Sequence, residues 1–149
     1  MNYGIDALGG AAYQKVLVKN FPKGWACGFF ANTFGNAWKT IRALAKTGKP
    51  SMIRVHAVWA DNHTYNKTVH DKIIKAECKK CVKFAKLFPD ITFQFSPFCE
   101  HMMKTPELTR IFKYCKKIVG DVGNITFVNC PWTGDFIYDD ERVMVWNRY

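Results

Sequence analysis

Glu100 follows the strand-like run Ile91-Thr-Phe-Gln-Phe-Ser96 by four residues, with Pro97 and Phe98 before it and His101 directly after. A carboxyl group packed among Pro97, Phe98 and Met102 or Met103 loses hydration, which favours its protonated form and suits it to donate a proton. Asp61 and Asp135 stand in comparable places. Trp59 precedes Asp61 and His63, Trp132 precedes Asp135, and Phe30 precedes Asn32, so several runs end in a large aromatic followed by a polar or acidic group. Two carboxyl groups at neighbouring strand exits, one of them protonated, are what general acid/base chemistry asks for. Glu100, with Asp61 or Asp135, is the candidate catalytic set. Trp59 and Trp132 offer flat apolar faces, and Arg54, His56, His63 and His101 offer hydrogen bonds, to a bound ligand.

Each of these residues also has a plainer use. An acid after a strand is commonly a loop charge or a helix cap, tryptophans pack in cores, and His56 could be a hydrogen-bonded core histidine. His56, Asp61, His63, Glu100 and His101 are also metal-ligand types, so a metal-dependent barrel hydrolase is the second enzyme reading. No tight ligand pair occurs on the first of these runs, and neither a metal nor another cofactor is expected. Cys78-Lys-Lys-Cys81 has the spacing of half a zinc site, but no second pair accompanies it, and both thiols read as the core-facing residues of a helix. Asn62, Asn66 and Asn124 each begin a glycosylation sequon, read here as coincidence.

The elements that would position these residues alternate along the chain. Four apolar runs rich in strand-forming residues lie at Trp25 to Phe30, Met52 to Trp59, Ile91 to Phe95 and Ile125 to Cys130. Between them, Asn36 to Lys46 and Thr68 to Leu87 place apolar residues at helical spacing, and Thr105-Pro106 opens a third helix with Leu108, Ile111, Phe112, Cys115 and Ile118 on one face. Strand-helix-strand steps of this length predict right-handed βαβ units and an α/β fold with a parallel sheet. Ligands bind such sheets at the carboxyl ends of their strands, where Glu100 stands. Arg54 and His56 alternate with Ile53, Val55 and Ala57, and Thr92, Gln94 and Ser96 alternate with Ile91, Phe93 and Phe95, so one sheet face is polar. A sheet buried under helices on both sides should be apolar on both.

The segments Met52-Ile-Arg-Val-His-Ala-Val-Trp-Ala-Asp-Asn-His63, Ile91 to His101 and Asn124-Ile-Thr-Phe-Val-Asn-Cys-Pro-Trp132 resemble the first half of a (β/α)8-barrel glycoside hydrolase of the cellulase and mannanase kind, in patches over roughly residues 22 to 135. The resemblance implies a TIM-barrel-like half barrel, or part of a barrel, acting on a polysaccharide with Glu100 as acid/base, Asp61 or Asp135 as the second carboxylate about 5 Å away for retention or about 6.5 to 9.5 Å for inversion, and Trp59 and Trp132 against the sugar ring. Such barrels commonly place that Glu after an Asn on the fourth strand and a second Glu on the seventh. Here Glu100 follows Cys99 on the third of the four runs.

Four units cannot close an eight-stranded barrel, which leaves pairing with a second copy, an open doubly wound sheet, or a chain that is part of a longer protein. Arg142-Val-Met-Val-Trp-Asn-Arg-Tyr149 reads as a further short strand, so a second copy or another chain is expected to complete the sheet. The 149 residues suit one domain spanning 1–149, and 48% apolar with 15% aromatic residues exclude disorder. A net charge of +10 admits polyanions as partners. A non-catalytic basic module for glycan or nucleic acid is therefore the third reading, although no nucleic-acid motif favours it and the lysines of 67 to 86 read first as a solvated helix face. No run approaches a membrane span. The opening MNYGIDALGGAAYQK does not read as a secretory signal, so reduced cysteines and a cytoplasmic location are the default expectation.

Overall fold

The computed structural model describes residues 3–7, 9–31, 37–58, 65–97, 105–129 and 143–145. These form six strands, β1 (Gly4–Asp6), β2 (Ala26–Phe30), β3 (Met52–His56), β4 (Thr92–Ser96), β5 (Ile125–Asn129) and β6 (Val143–Val145), and four helices, α1 (Ala11–Asn20), α2 (Ala37–Lys46), α3 (Lys67–Leu87) and α4 (Thr105–Val119). All strands belong to one sheet whose spatial order is the chain order, and every pairing is parallel. Crossovers of a single hand between consecutive neighbours lay the helices on one face. A doubly wound sheet would reverse its order part-way. The class is thus α/β with the winding of part of a (β/α)8 barrel, as the alternating pattern predicts.

Two elements escape the sequence pattern. β1 spans only three residues, too short to show an alternation, and α1 buries only Gln14 and Leu17, so its apolar stripe is thin. The short strand expected near the end of the chain is β6.

Periodicity divides the sheet into two faces. Cys27, Phe29, Ile53, Val55, Phe93, Phe95, Ile125 and Phe127 join one cluster with Ile41 and Leu44 of α2, Ile74, Cys78 and Cys81 of α3, and Leu108, Phe112 and Cys115 of α4. Burying each large side chain of this set contributes about 1.5 to 3 kcal/mol. Cys78 and Cys81 are completely buried in mid-α3, where the Cys78 thiol lies 3.9 Å from the Cys115 carbonyl. Their spacing is that of a core-facing helix stripe.

Helix ends follow local chemistry. The Asn66 side chain caps α3 by accepting from the Val69 N–H at 3.2 Å, and Gly48 and Gly120 take the left-handed conformation just beyond α2 and α4 at φ 69° and 59°. Asn124 donates from one amide nitrogen towards the carbonyls of Ala85, Phe88 and Ile91 at 2.9 to 3.2 Å, tying the end of α3 to the start of β5. Two of the three sequon asparagines thus have structural work, and Asn62 lies outside the described residues.

The seam between α3 and α4 carries a polar cluster. Arg110 bridges Asp71 at 3.1 Å and Glu107 at 3.0 Å and donates to the Tyr65 hydroxyl at 2.6 Å, while that hydroxyl donates to Asp71. Burial alone would raise the Asp71 carboxyl, but hydrogen bonds from Arg110 and Tyr65 outweigh it and hold the group below the usual range. A carboxyl lowered on folding stabilises the protein above its unfolded value, about pH 3.9, and loses that contribution as pH falls through the folded value. Stability should therefore decline below about pH 4. Asp71→Asn should flatten this acid limb in urea titrations at pH 3 to 6, and an unchanged pH slope would show that the cluster does not contribute it.

Candidate functional site

The helix-free face is built from the alternate residues of the same strands. Register aligns Asp6 of β1 with Gly28 of β2, Gly28 with Arg54 of β3, Arg54 with Gln94 of β4, and Gln94 with Thr126 of β5. Residues in register share a face, so these five form one row across five strands, about 19 Å long at a strand spacing of about 4.8 Å. The row is polar except at Gly28. Its centre is an Arg54 Nε donor held 2.7 Å from Gln94 Oε1. Gln94 is completely buried, and pairing with a cation offsets the cost of taking its carbonyl out of water. Beside it, the Thr126 hydroxyl oxygen is buried with no hydrogen-bond partner among the described residues.

Gly28 makes room at the other end of the row. A Cβ there would stand 2.1 Å from Asp6 Oδ1, so the carboxylate lies over the glycine. Any side chain at 28 would displace it. Asp6 also reaches Cys27 electrostatically: burial first, then this negative charge, pushes the Cys27 thiol up to about 12. At neutral pH that thiol stays protonated and is no nucleophile.

Two residues further along the strands, about 6.6 Å towards their carboxyl ends, register aligns Phe30, His56 and Ser96. The Phe30 and His56 rings stack with centroids 4.7 Å apart and planes within 8°. Phe30, Ser96 and Val128 are buried on this face, and neither Phe30 nor Val128 belongs to the cluster made with the helices. A cavity of about 480 Å³ opens on the amino-terminal half of the face, lined by Tyr3, Asp6, Gly28, Met52, Arg54 and Gln94 among others. Its size falls within the range of small-molecule sites, about 300 to 1,000 Å³, and it combines apolar walls with a few convergent polar groups.

Of the residues singled out in the sequence, Arg54 and His56 lie on this polar face, as their alternation with Ile53 and Val55 requires. Glu100, Asp61, Asp135, Trp59, His63, His101 and Trp132 lie outside the described residues. Glu100 comes four positions after the last residue of β4, Trp59 and Asp61 three and five after β3, and Trp132 and Asp135 three and six after β5. Among the described residues no group of three or more His, Cys, Asp or Glu stands together as a metal site. Asp6, Gly28 and Gln94 were not among the site residues read from the sequence. Gln94 carried a signal, since it shares the polar phase of its strand with Thr92 and Ser96; Asp6 carried none, because β1 is too short to have a phase.

Compared with family models, curated proteins and solved structures, the chain matches none of them. Among the described residues no helix is long and apolar enough to cross a membrane.

Proposed function

We propose that this chain is a glycoside hydrolase-like protein that acts on a polysaccharide by carboxylate general acid/base catalysis, with Glu100 as the acid/base. The observation that supports the reading is the polar row Asp6–Gly28–Arg54–Gln94–Thr126 on the helix-free face of a singly wound parallel sheet. Such a face in a chain with an apolar preference would hold aliphatic side chains. Here it holds a carboxylate, a guanidinium and an amide, which are the groups that bond the hydroxyls of a sugar.

On this reading the division of labour follows strand direction. Arg54, Gln94 and Asp6 bind polar atoms from below, with His56 above them. Glu100 supplies the proton at the carboxyl ends, and Asp61 or Asp135 supplies the second carboxylate. Trp59 and Trp132 hold the flat face of the ring, and His63 and His101 bond hydroxyls. A second copy or another chain would complete the wall beyond β1 and β6.

The test is turnover of a panel of soluble polysaccharides, followed by release of reducing ends, with and without chelator. Chelator-resistant hydrolysis supports carboxylate catalysis, chelator-sensitive hydrolysis selects the metal-dependent alternative, and binding without turnover selects a non-catalytic module. Gly28→Ala tests the role of the row. The added methyl clashes with the movable Asp6 carboxyl and reaches the Asp6 backbone only at ordinary contact distance, and alanine in a strand relieves some backbone entropy, so stability should change by less than about 1 kcal/mol. Glycan affinity measured by calorimetry should fall about tenfold or more, the scale of one lost charge-assisted hydrogen bond. Unchanged affinity would remove Asp6 from the site.

A further inference from the structure

The helices carry more than the whole net charge of the protein. Sixteen of the 22 lysines and arginines but only three of the 12 acidic residues lie in the four helices, so the helices carry +13 and the remainder −3. Those three acids, Asp71, Glu77 and Glu107, are buried or half-buried, and each is in an ion pair with Arg110 or Lys80. Fifteen of the sixteen basic residues are exposed. Because the helices share one face of the sheet, the outer surface of the molecule on that side is cationic, while the proposed glycan face is on the other.

On α3 the positive charge is ordered. Lys72, Lys75, Lys79, Lys83 and Lys86 are spaced by three or four residues and fall within an arc of about 80° at 3.6 residues per turn. They form a straight row about 21 Å long. Among the described residues none of the five is in an ion pair. Lys113, Lys116 and Lys117 of α4 form a second, shorter row beside it. The two helices pack directly, and the Lys75 ammonium lies 4.6 Å from the Tyr114 ring centroid, across the seam. The axes of packed helices stand about 8 to 10 Å apart, so the two rows run along neighbouring helices.

We propose that the α3–α4 surface binds the phosphate backbone of a nucleic-acid duplex without reading its sequence. Charge complementarity carries the inference, and the pairing of rows selects the partner. A duplex presents two lines of phosphates flanking a groove about 6 to 12 Å wide, whereas a single-chain polyanion presents one. Lysines act as point charges on phosphates, and the row contains no guanidinium fork for a base edge. No large aromatic is exposed along α3 or α4 for stacking on unpaired bases, which sets the surface apart from single-strand platforms. The inference is independent of the glycan reading, since it uses the opposite face.

The experiment is fluorescence anisotropy of a labelled 25-base-pair duplex with the whole chain at 50 to 200 mM salt. Eight phosphate contacts, five from α3 and three from α4, predict a slope of log affinity against log salt of about −7, a loss of about 10⁴-fold across that range. Replacing Lys72, Lys75, Lys79, Lys83 and Lys86 together by Gln should reduce the slope to about −3, the share of the α4 row, and weaken binding at 50 mM by at least about 100-fold. Glutamine has nearly the helix propensity of lysine, so the circular dichroism melt should not move. A charge-matched control replaces Lys15, Lys19, Lys39, Lys46 and Lys49 by Gln and should keep most of the slope. Equal losses in the two variants would show net charge alone at work and overturn the proposal. So would tighter binding to the single strand or to heparin than to the duplex, or no duplex binding at 50 mM.

Discussion

Glu100→Gln should lower glycan hydrolysis by about two to four orders of magnitude, the contribution of a positioned general acid, while leaving the urea midpoint nearly unchanged. Glutamine preserves the shape and polarity of the side chain and removes only the transferable proton. On the proposed reading the carboxyl is the proton donor and so starts protonated. The rate should therefore fall on the alkaline side of its pH profile as Glu100 ionises, and that limb should vanish in the variant. Asp61→Asn and Asp135→Asn then identify the second carboxylate: the one whose loss is similarly deep is the partner, and the other should change the rate less than about tenfold. An unaltered rate in Glu100→Gln would sink the catalytic assignment. A collapsed fold would mark Glu100 as structural.

Phe112→Ala should cost about 3 to 5 kcal/mol of stability, a large part of the roughly 5 to 15 kcal/mol a domain of this kind possesses. Phe112 of α4 is completely buried, and its ring meets that of Phe127 of β5 edge-on, with centroids 5.9 Å apart and planes at 70°. The substitution removes the transferred surface, leaves a cavity between the helix layer and the sheet, and deletes a favourable ring pair. Phe112→Leu keeps most of the volume and should cost about 1.5 kcal/mol or less. Tyr13→Ala, at a ring 44% exposed on α1, should stay within about 0.5 kcal/mol. Urea titrations of the three variants check the ordering. A Phe112→Ala loss below about 1 kcal/mol would mean that α4 does not pack on β5 as described.

Strand and helix alternation was legible because each element's apolar period is the one its geometry needs. Phe93 and Phe95 oppose Gln94 and Ser96 in sequence for the same reason they oppose them in space: successive strand residues point to opposite faces. The spacing of Cys78 and Cys81 likewise announced a helix stripe. The parallel order of the strands near 25, 53, 92 and 126 followed from the connection lengths, since a parallel neighbour needs a long crossover. Arg54 and His56 were assigned to the polar face on the same ground.

What the chain determines by itself is therefore the periodic part: the class, the element order, the core side of each strand and helix, and the quantity of positive charge. Register belongs to the tertiary structure, because it depends on which residues of distant segments stand side by side. Only register sets Asp6 beside Gly28, Gly28 beside Arg54 and Arg54 beside Gln94, joining residues up to 88 positions apart into one row. The same is true of charge. Lysines scattered through four helices become one cationic surface only because parallel crossovers of a single hand lay every helix on the same face of the sheet.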